Sequence, residues 1–359
     1  MLLTAIVFLI ILSVLVLIHE LGHFLVARFF GVNVEEFGLG LPPRVIGKKV
    51  KGTTYSLNWL PIGGFVKLAG EDEVEHNLKR SHLARQGETL KEYFWAKSKK
   101  QRAAILSAGV LMNFLLAVGI TMFLLTQGVN EPSGRVHIER VAAGSPADMA
   151  GLKEGDEIKK IEEKKIKIPT DLIEFTKTHA GEVVTLTILR EGKEQTVSLV
   201  PRKEYPQGQG PMGVAISDLE LRTYTWLEAP GKALGITLIR GRDMLGSLGT
   251  LLWRLVTLQP LQADVAGPIG IAQVTGQAVK FGWLAVLEFM SILSLNLAVL
   301  NILPIPALDG GRLAFVFLEK ILGRRVRPAF EKSTHQIGMI ILFALILLVS
   351  INDIIRIVK

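Results

Sequence analysis

The sequence predicts a polytopic α-helical membrane protein with a small soluble α+β portion between its second and third spans. Three observations lead there. Hydrophobic residues make up 49% of the 359 residues, and the mean hydropathy is +0.38. Those residues gather into a few long apolar runs instead of spreading evenly. The net charge of +8 is concentrated in loops beside those runs, which reads first as positive-inside topology against an anionic lipid bilayer. No motif for reading nucleic acid is visible. The chain has no cysteine, so disulfides and thiolate metal sites are excluded, and any metal ligand must be His, Asp or Glu.

About 20 apolar residues are needed to cross a bilayer, and four segments qualify: 2–27, 103–126, 284–303 and 337–352. The third carries Glu288, Asn296 and Asn301, and the fourth is short. The first has no basic leading segment and no small-residue cleavage site, so it reads as a retained span. Arg44, Lys48, Lys49, Lys51, Lys67, Lys79, Arg80, Arg85 and "KSKKQR" lie between spans one and two, and "GRRVR" at 323–327 lies between three and four. Both loops should be cytoplasmic, with both termini and residues 127–283 on the other side. Within the soluble part, "GRVHIERV", "EVVTLTILREG" and "KEQTVSLVPR" read as strands, the last two joined by a Glu-Gly turn. "SPADM" starts a helix, and "PTDLIEFTKT" supplies another. From 226 to 259, near-helical apolar spacing interrupted by Arg240, Arg242, Asp243 and Arg254 fits an interfacial amphipathic helix, with a poor fifth span as the alternative.

The chemistry is concentrated in "HELGH" at 19–23, inside the first span. Positions i and i+4 of a helix lie about 40° apart, on one face. His19 and His23 can therefore share one metal, with Glu20 beside a metal-bound water as general base. Five letters are a weak pattern by themselves. Their apolar setting strengthens it, because polar groups in a membrane helix cost several kcal/mol unless partnered. A zinc site of this kind needs a third protein ligand and an open fourth position. His76, His82, His137 and His179 lie in polar loops or the soluble part, and His335 lies outside the predicted last span. Asp309 in "NILPIPALDGGR" is the better candidate: Pro304 and Pro306 break the helix, and Gly310 and Gly311 seal a turn. His19 lies about 17 residues into its span, roughly 26 Å deep. Asn301, with Asp309 just beyond, lies at a similar depth from the same face, which puts both motifs in the cytoplasmic third of the bilayer.

"HELGH", "GVLMN" (Gly109 to Asn113) and "NILPIPALDG" in this order resemble the site-2 protease family of intramembrane zinc metalloproteases, over nearly the whole chain. The arrangement looks like the bacterial, RseP-like branch. "SPADMAGLKEGDEI" resembles a PDZ domain, here a single one where a tandem pair would be usual, which puts substrate filtering by a pair in doubt. The resemblance implies Zn2+ held by His19, His23 and Asp309, with Glu20 activating water. It implies that Asn301 binds substrate backbone, that Asn113, with Gly109, supports the site, and that residues 36–71 form a membrane-re-entrant β-hairpin. The hairpin edge would lie in "PIGGFVKL", around Gly63, Gly64 and Phe65. There an unwound substrate could add as a strand. The PDZ-like domain would be circularly permuted, with its peptide-binding strand near 210–216.

The expected layout is a membrane region over 1–126, the PDZ-like domain over 127–216, an interfacial linker over 217–283 and a second membrane region over 284–359. Implied partners are single-pass membrane proteins pre-cut by another protease, such as anti-sigma factors or remnant signal peptides. The implied location is the bacterial cell membrane. A catalytically silent PDZ-bearing scaffold and a metal-ion or proton transporter are the competing classes. The intact set of His19, Glu20, His23 and Asp309 argues against the first, and the absence of inverted repeats against the second.

Overall fold

The structure is a computed structural model that describes residues 2–71, 90–257, 259, 267–324 and 326–358. His76, His82, Lys79, Arg80, Arg85 and Arg325 lie outside the described residues. The chain forms two compact units, Met1–Leu124 with Trp226–Lys359, and Leu125–Thr225. The first unit opens with helix α1, Leu2–Phe29. Two long antiparallel strands follow, β1 (Val34–Val50) and β2 (Thr53–Leu68). They form more than a plain hairpin. Gly38 pairs with both Phe65 and Ser56, and Leu39 with both Gly64 and Leu57. The ribbon therefore doubles back on itself, ordering its segments 44–50, 53–58, 34–41 and 60–68. The last segment pairs on one side only. Helix α2, Lys99–Gln127, completes this part.

The second unit contains β3 (Val129–Val141), the short helix α3 (Pro146–Met149), β4 (Glu157–Ile161) and β5 (Lys164–Lys165). It continues with α4 (Pro169–Thr178), β6 (Val184–Arg190), β7 (Lys193–Leu199) and β8 (Val214–Arg222). Its sheet runs β7-β6-β4-β3-β8, with β5 paired to β4. Val136, Ile138, Ile158, Leu172, Leu186 and Ile188 form a dry core between sheet and helices. Ser145 caps α3 by accepting from Asp148 N at 3.2 Å. The Glu191-Gly192 turn has φ of 50° and 76°, the paired positive values of a type I′ hairpin. The unit reaches past 216 because alternation continues through Ser217–Arg222, which pairs with β3 from Val129 to His137.

In the remaining part, α5 (Ala229–Val256) occupies the predicted amphipathic stretch, and α6 (Pro268–Phe281) is a helix where the sequence predicts an interfacial linker. Helix α7 is Trp283–Ile302, α8 is Asp309–Leu322 and α9 is Pro328–Val358. Among the described residues, four helices are long and apolar enough to cross a membrane: α1, α2, α7 and the Ala329–Ile355 stretch of α9. The last begins well before 337, because Glu331, Lys332 and His335 are helical too. Close approach and small polar groups bind these helices together. Ser294 Oγ donates to Asn113 O at 2.8 Å, and Ser291 Oγ to Ala117 O at 3.0 Å, both between α7 and α2. Arg102 pairs with the buried Glu319, and Lys99 Nζ donates to Glu319 O at 2.8 Å, joining α2 to α8.

In the second unit, burial works to raise the Asp156 carboxyl. Arg190 Nε and Nη2 at 2.6 and 2.5 Å and Lys153 N at 2.8 Å prevail, and hold it below the usual carboxylate range. The unfolded value is about 3.9, so the stability from this contact is complete above that pH and is lost as pH falls through the lower, folded value. Arg190→Ala is expected to cost roughly 3 kcal/mol at neutral pH by leaving a buried carboxylate unpaired. It should also abolish the pair's share of the acid destabilisation, as read by pulse proteolysis of the unit across pH.

Candidate metal centre

The centre is built from two apolar helices and one helix break. His19 and His23 sit on one face of α1, 8% and 6% exposed. Leu303–Leu308 interrupts the chain between α7 and α8, and Asp309 is the first residue of α8 and not part of a sealed turn. A Cβ on Gly310 would collide with Leu303 O, and one on Gly311 with Ile305 O. The two glycines let the start of α8 press onto the broken segment, which corrects the expectation that they close a turn.

This packing brings three ligating atoms together. His19 Nε2 lies 2.8 Å and His23 Nε2 3.1 Å from Asp309 Oδ2, and the two Nε2 atoms are 3.2 Å apart. Among the described residues, these three form the one group of such side chains able to hold a metal ion. Tautomers fit the same purpose. His23 Nδ1 lies 2.8 Å from Ile105 O, which can only accept, so Nδ1 carries the proton and Nε2 keeps its lone pair for the centre. At His19, Nδ1 lies 3.3 Å from the Asn113 amide, whose oxygen otherwise has no partner although Asn113 is fully buried. The two ends of an amide are interchangeable. With the oxygen turned to Nδ1–H, the orphan is satisfied and His19 Nε2 is free to ligate. The donor set of two imidazoles and one carboxylate suits a divalent ion such as zinc.

Glycine makes the approach possible. A Cβ on Gly22 of α1 would collide with Ala108 O of α2. A Cβ on Gly109 would collide with His23 Nε2 and stand 2.7 Å from His19 Cε1. Gly109 thus faces both imidazoles with no room for a side chain. Glu20, on the next position of α1, accepts from Val66 N of β2 at 3.0 Å.

Two cavities meet at this point. One, of about 310 Å³, is lined by Glu20, His23, Phe65, Asp309, Arg312 and His335 among others. The second, of about 250 Å³, is lined by His19, Glu20, Asn113, Asn301 and Asp309 among others. Phe65 and Asn301 therefore stand on separate approaches to the same centre. Gly63 and Gly64 are not among the residues lining either cavity. Gly63 has φ +77°, and a Cβ on Gly64 would be 2.9 Å from Gly38 O, so both shape the strand backbone. Pro304 lies in the broken segment. His137 and His179 are in the second unit. His335 differs from expectation: it lies within α9 and lines the first cavity. Its polar neighbours Glu331 and Lys332 make it look like a loop residue in the sequence.

A model of peptidase family M50 matches residues 7–345. The chain belongs to peptidase family M50. The zinc metalloprotease RasP of Geobacillus kaustophilus is 30% identical, over 97% of this chain and 96% of the relative. The regulator of sigma-W protease RasP of Bacillus subtilis is 30% identical, over 98% of each. A Fusobacterium nucleatum protein provisionally named zinc metalloprotease FN1322 is 34% identical, over 98% of each. The chain is a peptidase of this membrane family.

Gly109→Ala is expected to lower bound metal at least about tenfold, on the scale of disturbing a ligand's support. Gly119→Ala on the same helix, where a Cβ meets nothing within 4 Å, should leave it unchanged. Asn113→Ala should weaken metal affinity about 10- to 100-fold, by freeing the His19 ring. Metal analysis of the purified full chain after graded chelation reads both.

Proposed function

We propose that this chain is a zinc-dependent intramembrane endopeptidase that cuts transmembrane segments of single-pass membrane proteins. The observation that carries the reading is the convergence of His19 and His23, with Glu20 alongside, on a helix apolar enough to cross a bilayer, and of Asp309 at the helix start that follows the apolar α7. Zinc held by His19 Nε2, His23 Nε2 and Asp309 would polarise the scissile carbonyl and supply an acidified water. Glu20 takes a proton from the attacking water and returns it to the leaving amine. It is placed for this by its own helix and by the Val66 N–H. Asn301 binds substrate backbone from the second cavity.

A helical substrate must be unwound before its peptide bonds are accessible. The outer edge of segment 60–68, with Gly63, Gly64 and Phe65, offers a strand to pair with. Leu41, Val45, Ile46, Trp59 and Leu60 are exposed apolar side chains on the ribbon, which supports its dipping into the membrane as a re-entrant element. The Lys and Arg residues gathered in the loops between spans one and two and between spans three and four support a cytoplasmic-facing centre and an extracytoplasmic second unit.

The second unit acts as a permuted PDZ-like filter of substrate size or C-terminus. Supporting this, a groove of about 460 Å³ lies beside α4 and β8, lined by Leu172, Thr176 and residues 209–212 and 214–216. A peptide could pair there with β8, whose other side is taken by β3. The name of the Bacillus relative, a regulator of sigma-W, accords with anti-sigma-factor-like substrates pre-cut by another protease, with remnant signal peptides as a second group.

Glu20→Gln decides the reading. The variant should keep its zinc and lose cleavage of a model transmembrane substrate by about 10²- to 10⁴-fold, the contribution of a general base. A variant that cleaves undiminished would exclude this mechanism, and a wild type purified without zinc would exclude the site.

A further inference from the structure

The last helix carries His335, which lines the cavity of the metal centre and has one buried, unpartnered nitrogen. Ala307 N donates to His335 Nδ1 at 2.9 Å. A backbone N–H can only donate, so Nδ1 has no proton, and the neutral ring carries its hydrogen on Nε2. That Nε2 is buried and has no hydrogen-bond partner among the described residues. The ring lines the same cavity as Glu20, His23 and Asp309. Arg312, the other nearby donor, is already paired with Glu71.

The ring is also held firmly. Ala307 has φ +79°, a conformation that a non-glycine residue keeps only where its surroundings fix it. One turn along α9, a Cβ on Gly338 would collide with Pro306. His335 and Gly338 thus clasp the segment that leads into Asp309, and the clasp fixes both tautomer and position. A buried N–H without an acceptor is unfavourable. A carbonyl oxygen that enters the cavity would supply the acceptor.

We infer that His335 donates Nε2–H to the oxygen of the scissile carbonyl and stabilises the negative charge that develops there. This rests on the peptidase reading above. When water adds to the carbonyl carbon, the C=O π pair moves onto oxygen, and the donor binds that oxygen more strongly than it binds the ground-state carbonyl. No proton passes to or from the ring, and Glu20 keeps the proton-transfer role.

Two substitutions separate the two edges of the ring. His335→Asn retains an acceptor within reach of Ala307 N–H and leaves no donor at the Nε2 position, because its shorter amide stops before it. His335→Gln places an amide N–H near the Nε2 position. In the full-length enzyme in detergent, His335→Asn should lower turnover of a transmembrane substrate about 100-fold, the typical loss for one such donor. It should weaken a phosphinic peptide, which presents a tetrahedral anionic oxygen, by at least about tenfold. Bound zinc and affinity for a hydroxamate peptide should stay unchanged. His335→Gln should recover at least about tenfold of the phosphinic affinity over His335→Asn. A turnover loss below tenfold, a parallel loss of zinc, or no gain by Gln over Asn would overturn the assignment, the second by showing that His335 only positions Asp309. If His335→Asn does not accumulate in membranes, His335→Gln alone decides: phosphinic affinity within tenfold of wild type supports the donor, and a larger loss overturns it. A wild type that neither binds zinc nor cleaves would instead sink the peptidase reading, so the two failures are distinguishable.

Discussion

Two imidazoles and two carboxylates in an apolar helical bundle have to satisfy one another, because hydrocarbon offers them nothing. That constraint organises the whole first unit. His23 turns its spare nitrogen to Ile105 O, His19 turns its own to Asn113, and Glu20 takes a backbone N–H from the neighbouring strand. Bringing these groups together requires α1 and α2 to touch backbone to backbone, and Gly22 and Gly109 allow it.

The same demand explains the irregular parts. A continuous α7 would carry its carboxylate past the centre, so the helix breaks at Leu303 and restarts at Asp309. The freed backbone of 303–308 is then re-satisfied locally: Ile305 N reaches Leu303 O, and Ala307 N reaches His335. The doubled β1–β2 ribbon plays the matching part on the other side, bringing backbone donors such as Val66 N to membrane helices that have none to spare. Thr121, Ser291 and Ser294 hold α2 against α7 at the level of these helices, while Arg102 and Glu319 fasten α2 to α8.

The four side chains gathered at the candidate centre were legible in the sequence because such groups are rare in apolar surroundings. His19, Glu20 and His23 share a helix face, and Asp309 follows a helix break that two prolines announce. The ends of α1, α2 and α7 were legible for the same reason, since apolar length is a local property. The contributions that depend on distant contacts were not. His335 hides behind Glu331 and Lys332, which end the apolar run without ending the helix. Gly310 and Gly311 read as a turn, because nothing local shows that Leu303 O and Ile305 O press against them. The doubling of the ribbon follows from register, which the alternation of β1 and β2 leaves open. The continuation of β8 to Arg222 depends on β3, where Arg222 pairs with Val129, 93 residues earlier (222 − 129).

Gly109 leaves one consequence for how such chains are classified. The atom that matters there is one the residue does not have, and it lies against both imidazoles without taking part in any reaction. A homologue could display every ligand and the base in perfect order and still be inert through a single methyl group at this place. Conversely, an inventory of reactive side chains would count it as competent. Diagnosing pseudoenzymes in this architecture therefore means checking the vacancies as carefully as the functional groups.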